Sequence, residues 1–128
     1  MRLLLDTNAL LWFVMESPHL TETGRTVIAD PGNRKVVSLA SLWEIAIKYS
    51  LGKLDLKMPL NQFIPTHLPP GKVQLLQIEV AHLLTVTSLP HYHRDPFDRL
   101  LIAQALTENI PLVSNDDRFD PYGVERIW

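Results

Sequence analysis

Four acidic residues lie far apart in the sequence, at positions where side chains of an α/β protein do chemistry. Asp6 directly follows the apolar run Leu3-Leu4-Leu5, and Asp116 comes shortly after a later apolar run. Glu44 lies in a helix-like segment, and Asp98 opens another. If the apolar runs are parallel strands, their carboxyl ends share the sheet edge at which open α/β sheets bind ligands. The four acids can therefore converge at that edge.

Bringing carboxylates together has an energetic cost that indicates what the site binds. Two carboxylates about 5 Å apart repel by roughly 3 kcal/mol at an effective dielectric constant of about 20. Such a cluster is stable if a divalent cation neutralises it or if some members are protonated. Oxygen ligands suit Mg²⁺ or Mn²⁺, and such an ion can promote phosphodiester hydrolysis. The chain has no cysteine, which excludes a thiolate nucleophile, an iron–sulfur cluster and cysteine-bound zinc.

Each of these acids also has a purely structural interpretation. Asp6 follows a strand and precedes a helix, so it could act as a helix cap. Ser41 and Glu44 match the spacing of a capping box. Asp98 could interact favourably with a helix dipole, and Asp116 could belong to a turn. The local sequence leaves these alternatives open beside the catalytic one.

The elements that would position the acids alternate along the chain. Strands are predicted at 3–5, 36–37, 73–78, 110–114 and 124–128. Helices are predicted at 9–15, 21–30, from Ser38 to near Gly52, at 60–64 and 79–88, and from Phe97 or Asp98 onward, after a loop at 91–96. This alternation predicts a parallel sheet with helices on both faces.

Composition limits the class of protein. The chain has 128 residues, of which 46% are hydrophobic and 20% charged, as expected for one globular domain spanning residues 1–128. The net charge of −2 excludes a global basic field for nucleic acid, although Lys48, Lys53 and Lys57 could form a local patch. Asp6 and Glu16 interrupt the apolar N-terminal segment, and no stretch approaches the roughly 18 apolar residues of a membrane span. We therefore expect a cytoplasmic protein without membrane contact.

Four segments of the chain carry a distinctive pattern, in the order LLLDTNALLW, SLASLWEIAIKYSLGKL, LPHYHRDPFDRLLIAQAL and LVSNDDRFDPYGVERIW. In this order they resemble the PIN-domain nucleases, and more narrowly the VapC-type ribonuclease toxins of toxin–antitoxin modules. The likeness covers nearly the whole chain. It implies a three-layer α/β/α sandwich around a parallel sheet. It also implies an endoribonuclease that uses Mg²⁺ or Mn²⁺, is inhibited by an antitoxin and pairs as a homodimer.

The resemblance also implies roles for individual residues. Asp6, Glu44, Asp98 and Asp116 match the catalytic acids of the family, and Asp6, Asp98 and Asp116 are the expected metal ligands. The residues expected to orient ligands or water through hydrogen bonds are Thr7, Asn8, Ser114 and Asp95. Asp95 and Asp117 are close neighbours of the matched acids, so a direct contribution of either to the metal site stays open.

Basic and histidine side chains near the acids are candidates for contact with the substrate. These candidates are His93, Arg94, Arg99 and Arg118. The pair His91 and His93 also has a spacing that zinc can use, but no third nitrogen or sulfur ligand stands nearby. Loop packing or hydrogen bonding is therefore the favoured alternative for these histidines.

Large apolar residues on the first and third predicted helices exceed what one buried stripe needs. We expect part of this set to be exposed and to bind the antitoxin beside the acids: Trp12, Phe13 and Trp43, with Met15 and Leu42.

Two other functions remain as alternatives. One is a binding module that keeps the fold without catalysis. The other is a magnesium-dependent phosphatase, but the haloacid-dehalogenase type needs a second Asp two residues after the first, where this chain has Asn8.

Overall fold

A five-stranded, all-parallel sheet forms the centre of the computed structural model, which describes residues 1–128. The strands are β1 (Arg2–Leu5), β2 (Arg34–Ser38), β3 (Val73–Leu76), β4 (Leu112–Val113) and β5 (Arg126–Ile127), in the order β3-β2-β1-β4-β5. The chain starts in the middle with β1, moves outward to β3 and returns to the other side of β1. The strand order thus reverses between β1 and β4, which is where ligands bind in such sheets.

Six α-helices connect the strands: α1 (Thr7–Val14), α2 (Glu22–Ala29), α3 (Leu39–Ser50), α4 (Leu60–His67), α5 (Val80–Ser88) and α6 (Pro96–Glu108). A 3₁₀ helix at Asp117–Tyr122 follows β4. The sequence predicts all five strands and six α-helices, but not the 3₁₀ helix. None of the helices has the length and apolar composition that crossing a membrane requires.

The helix boundaries follow from their capping residues. Helix α6 begins at Pro96, one or two residues before the predicted start at Phe97 or Asp98, because Asp95 caps it and Pro96 occupies its first turn. Helix α3 begins at Leu39, where the Ser38 hydroxyl accepts the Ala40 backbone N–H at 3.0 Å. Helix α4 runs through Pro65 to His67 and is longer than predicted.

The sheet has an apolar layer on each face, which confirms the predicted three-layer architecture. Leu3 and Leu5 of β1 join a cluster with Ile45 and Phe63 on one face. Leu4 points to the other face and joins a cluster that includes Leu101, Ile102 and Phe119. Successive strand residues alternate between faces, so an uninterrupted leucine run is the expected sequence for a strand covered on both sides.

Candidate active site

A polar cleft of about 410 Å³ lies at the carboxyl ends of β1 and β4, and no hydrophobic residue lines it. Asp6, Glu44, Asp98 and Asp116 all line this cleft, so the structure brings together the four acids singled out from sequence. The other lining residues are Thr7, Asn8, Lys48, Asp95, Asn115, Asp117 and Arg118. Lys48 and Asn115 are the two lining residues to which the sequence analysis gave no role in the site.

Asp6 is held at the junction of β1 and α1. Its Oδ1 accepts the Ala9 backbone N–H at 2.7 Å, so the residue does cap α1. Asp6 is only 6% exposed, and this burial raises its pKa to about 6, although hydrogen bonds from Ser114 and Ala9 act in the opposite direction. A carboxylate has about four acceptor sites, so the cap leaves room for a cation. The structural and metal-binding interpretations of Asp6 are therefore compatible.

Asp98 occupies the first turn of α6, three residues after Asp95, which caps the helix. Asp95 Oδ1 accepts the backbone N–H groups of Phe97 at 2.8 Å and Asp98 at 3.1 Å. Burial raises the pKa of Asp98 to about 7, and the nearby carboxylates, with Asp95 first among them, add to the shift. Asp95 thus holds the backbone of Asp98 by a hydrogen bond, and its negative charge helps to raise the pKa of Asp98.

Asp116 caps the 3₁₀ helix, and its pKa is shifted in the opposite direction from those of Asp6 and Asp98. Arg118 forms a bidentate contact with it, Nε to Oδ1 and Nη2 to Oδ2, both at 2.9 Å. Burial by itself raises the pKa of Asp116, but hydrogen bonds from Arg118 and from His93 outweigh it and bring that pKa to about 2. The Ser114 hydroxyl accepts the Asp116 backbone N–H at 3.0 Å, which orders the turn after β4.

Glu44 enters the cleft from α3. Because Ser38 caps this helix, Glu44 lies beyond the first turn, and the capping-box interpretation with Ser41 is wrong. Its Oε2 lies 3.0 Å from Lys48 Nζ, one turn further along. The (i, i+4) spacing of Glu and Lys is the sequence signal that could have placed Lys48 in the site.

The basic candidates separate into different environments. Arg118 lines the cleft, and Arg94 is exposed in an adjoining pocket that shares Asp95, Asp98 and Arg118 with it. Arg99 does not line the cleft: it is 9% exposed, and its guanidinium donates only to backbone carbonyls. This placement corrects the prediction that Arg99 contacts the substrate.

His93 makes hydrogen bonds within the protein, as the favoured alternative predicted, and not the expected substrate contact. It is 3% exposed, behind the acids, and its Nε2 contacts both Asp98 and Asp116. A buried ring that faces protein carboxylates has little surface to offer to a substrate, so the expected substrate contact is replaced by a contact with the acids themselves.

The predicted exposed aromatic set is only partly exposed. Trp43 is 60% exposed, and its ring packs edge-on against Phe97 at a centroid distance of 5.2 Å. Trp12 and Phe13 are instead half-buried against the core, and the Trp12 ring lies 5.8 Å from that of Trp128. Of these three aromatic residues, Trp43 is thus the exposed one.

The sequence model of the PIN domain family matches residues 3–124. The chain belongs to the PIN domain family. Ribonuclease VapC16 from Mycobacterium tuberculosis is 36% identical over 58 residues, which are 45% of this chain and 41% of that protein's length. The chain thus spans less than half of this curated relative.

Solved structures extend the PIN domain comparison to the whole chain. VapBC2 from Rickettsia felis, bound to a DNA fragment from its promoter, matches with a TM-score of 0.70, 16% identity and 100% coverage of both chains. A toxin–antitoxin complex from Klebsiella pneumoniae matches with a TM-score of 0.57 and 16% identity, over 88% of this chain and 85% of that one. At these identities the likeness establishes a shared fold.

The residues of this PIN domain cleft fit a hard divalent cation. Its donors are mainly carboxylate and amide oxygens, which suit Mg²⁺ and Mn²⁺. The Thr7 hydroxyl is buried and has no hydrogen-bond partner, which is costly unless a ligand or water completes it. Ligand atoms of His93, Asp98 and Asp116 lie within 4.8 Å of one another.

Proposed function

We propose that this PIN domain is a metal-dependent endoribonuclease of the VapC type, acting as the toxin of a toxin–antitoxin pair. The observation that carries the proposal is the convergence of four acids from separate segments on one cleft without hydrophobic lining. Membership of the PIN domain family and the partial match to a ribonuclease support the same conclusion. Family membership also weighs against the phosphatase alternative.

Asp6, Asp98 and Asp116 are the residues that we propose to hold Mg²⁺ or Mn²⁺. The chemistry that such an ion supplies is charge to stabilise the phosphate in the transition state and activation of water. Six carboxylates and only two cationic side chains, Lys48 and Arg118, line the cleft. An RNA phosphate entering it would be repelled unless added positive charge offsets those carboxylates.

The remaining polar residues of the cleft have complementary proposed roles. Glu44, held at one oxygen by Lys48, is placed to accept a proton from the attacking water. Arg118 is two-thirds exposed at its side chain, so it can reach a phosphate oxygen from the rim while it remains near Asp116. Thr7, Asn8 and Ser114 orient the acids and bound water through hydrogen bonds.

RNA cleavage tests the proposal directly. The purified protein is incubated with labelled RNA in Mg²⁺, Mn²⁺ or EDTA, beside Asp98→Asn, Asp6→Asn and the exposed control Glu125→Gln. We expect cleavage with either metal by the wild type and the control, and a loss of at least about 100-fold in both Asn variants, since each removes charge from the metal site. A folded wild-type protein that binds metal and cleaves no RNA would instead favour the non-catalytic binding module.

The proposed partner is an antitoxin encoded beside this chain, and the proposed site of action is the cytoplasm. The structural likeness to a toxin–antitoxin complex and the exposed ring of Trp43, which packs against Phe97, support this assignment. The exposed apolar side chains of α5, Val80, Leu83 and Leu84, are a candidate contact for the proposed homodimer. Sedimentation of the isolated chain, with and without the neighbouring gene product, tests both associations.

A further inference from the structure

The loop between α5 and α6 places a buried histidine between two acids of the cleft. His93 Nε2 lies 3.1 Å from Oδ2 of Asp98 and 3.1 Å from Oδ2 of Asp116. Asp98 belongs to α6 and Asp116 to the start of the 3₁₀ helix, so one ring nitrogen links two separate elements. Asp116 is also held by Arg118, whereas His93 is the one side chain in hydrogen-bond or ion-pair contact with the Asp98 carboxylate.

The other ring nitrogen fixes which atom of His93 carries the proton. Nδ1 accepts the backbone N–H of Asp95 at 3.2 Å. A neutral imidazole has one acceptor and one donor nitrogen, so the proton resides on Nε2, facing the two carboxylates. A protonated nitrogen has no free lone pair for a metal. The ring is therefore arranged to donate to the acids and not to bind the ion itself.

A second set of contacts fixes the backbone that carries His93. Its N–H donates to the Tyr122 hydroxyl at 2.8 Å, and that hydroxyl donates to the Pro90 carbonyl, also at 2.8 Å. The buried Arg99 guanidinium has no carboxylate partner and donates at 2.8 to 3.4 Å to the carbonyl oxygens of Val86, Leu89, Pro90 and His93. Buried Arg side chains usually have an anionic partner. Here Nη1 and Nη2 of the guanidinium order the end of α5 and the loop that follows it.

We propose that His93 is a positioning residue for the metal site, which holds the carboxylates of Asp98 and Asp116 together, and that Arg99 and Tyr122 fix His93 in turn. The inference rests on the proposed function, because it assigns these acids to a metal. Two adjacent carboxylates repel each other and would otherwise turn apart toward water. The Nε2 that is hydrogen-bonded to Asp116 also lies 3.1 Å from Asp98 Oδ2, so its positive end keeps the two carboxylates converged for the ion, as donors behind metal ligands commonly do.

Calorimetric titration with Mn²⁺ tests the inference without relying on activity. The proteins are the wild type, His93→Ala, His93→Gln and His91→Gln, the last a control at an exposed histidine of the same loop. We expect Mn²⁺ affinity to fall about 10- to 100-fold in His93→Ala, the usual effect of removing such a partner. His93→Gln should recover much of the loss, because its amide can donate from a similar position, and His91→Gln should match the wild type.

The tautomer gives a second, independent measurement on the unmodified protein. In ¹⁵N-histidine-labelled protein saturated with Mg²⁺, we expect His93 Nε2 to retain its directly bonded proton in the NMR spectrum. Loss of that proton on Mg²⁺ binding would overturn the inference, because His93 would then be a ligand. Affinity in His93→Gln no better than in His93→Ala would overturn it as well, since the ring would then act through packing alone.

A conservative variant keeps the test decisive if His93→Ala does not fold. Tyr122→Phe removes only the hydroxyl between His93 and Pro90, and we expect a smaller but measurable fall in Mn²⁺ affinity. Suppose that the wild type binds Mn²⁺ and cleaves RNA, and that the folded variants of His93 and Tyr122 bind Mn²⁺ with the same affinity. This result would overturn the role proposed for His93 and leave the proposed function intact. A wild-type protein that binds no Mn²⁺ would overturn the proposed function too.

Discussion

Three aspartates of the cleft have different pKa values, although they share one pocket. Burial raises the pKa of Asp6 to about 6 and that of Asp98 to about 7. Asp116 has a pKa of about 2, because hydrogen bonds from Arg118 and His93 more than offset the effect of burial. Without metal, the cleft thus relieves its repulsion partly by holding protons and partly by pairing one acid with arginine.

The raised pKa of Asp98 predicts how stability varies with pH in the absence of metal. The folded protein holds this proton up to about pH 7, whereas the unfolded chain releases it near its ordinary pKa of 3.8. The stabilisation is fully present below about pH 4 and is lost as pH rises to about 7. Asp6 acts in the same direction up to about pH 6, and Asp116 acts in the opposite direction only at lower pH.

We therefore expect the melting temperature in EDTA to fall between about pH 4 and pH 7, and to fall less in Asp98→Asn, which cannot ionise. Thermal unfolding followed by circular dichroism across this range measures the effect. Equal pH dependence in Asp98→Asn and the wild type would contradict the raised pKa.

Metal binding at neutral pH should stabilise the folded protein, in contrast to the loss of stability expected in EDTA as the pH rises. Mg²⁺ or Mn²⁺ should raise the melting temperature, because it binds the native carboxylates and not the unfolded chain. Asp6→Asn should melt at the same or a higher temperature in EDTA and gain less from metal, since it lacks one buried carboxylate. Differential scanning calorimetry with and without Mn²⁺ checks this expectation. An unchanged metal response in both Asp6→Asn and Asp98→Asn would show that the ion binds elsewhere.

At the level of elements, the N-terminal ends of α1 and α6 hold Asp6 and Asp98 in position. Asp6 follows β1 and caps α1, and Asp95 caps α6 one turn before Asp98 points into the cleft. A residue in a helix cap or first turn has its backbone fixed by the helix and its side chain free at the sheet edge. The same local geometry therefore stabilises the helix and orients a carboxylate.

Asp95 acts on α6 by capping the helix and on Asp98 by its negative charge, and substitutions of Asp95 can separate the two effects. Asp95→Ala should lower the free energy of unfolding by about 1 kcal/mol, because it removes the acceptor for two backbone N–H groups. Asp95→Asn should retain most of that stability, since Asn caps nearly as well as Asp, while it lowers the pKa of Asp98 by removing a neighbouring charge. Urea unfolding and NMR titration measure the two effects. Equal destabilisation by Ala and Asn would show that the charge of Asp95, and not its cap, stabilises α6.

At the scale of the whole molecule, the doubly covered sheet leaves one edge open for chemistry. The return of the chain from β3 to β4 places the segment after β4 beside that after β1, which joins Asp116 to Asp6. Trp43 lies on the adjacent surface, on α3, next in sequence to Glu44 and against Phe97 of α6. A partner that binds this surface would lie near the entrance of the cleft.

We expect Trp43→Ala to weaken binding of the proposed antitoxin by about 2 kcal/mol or more, the usual cost of truncating a large aromatic anchor. The proposed RNA cleavage by the isolated protein should persist, because the four acids are unchanged. Leu51→Ala, at another exposed apolar residue at the end of α3, is the matched control. Titration of purified antitoxin with each variant gives the affinities. Undiminished affinity in Trp43→Ala would place the inhibitory contact elsewhere.

The sequence by itself determined the elements, the parallel sheet and the convergence of the four acids. These features depend on local signals: apolar strand runs, helix periodicity, and caps such as Asp6 and Ser38. The edge to which the acids belong then follows from the rule that parallel strands end on the same side. The observed start of α6 at Pro96 is one or two residues earlier than predicted, because neighbouring residues differ little in energy as helix caps.

Only the tertiary structure decided what surrounds each side chain. Arg99 and Arg118 each directly follow an Asp in the sequence, yet Arg99 is buried among backbone carbonyls and Arg118 lies in the cleft. Trp12 is covered by Trp128 from the other end of the chain, while Trp43 remains exposed. His93 reaches Asp116 across 23 residues of sequence. Burial and pairing depend on contacts between distant segments, which the pattern of neighbouring residues does not encode.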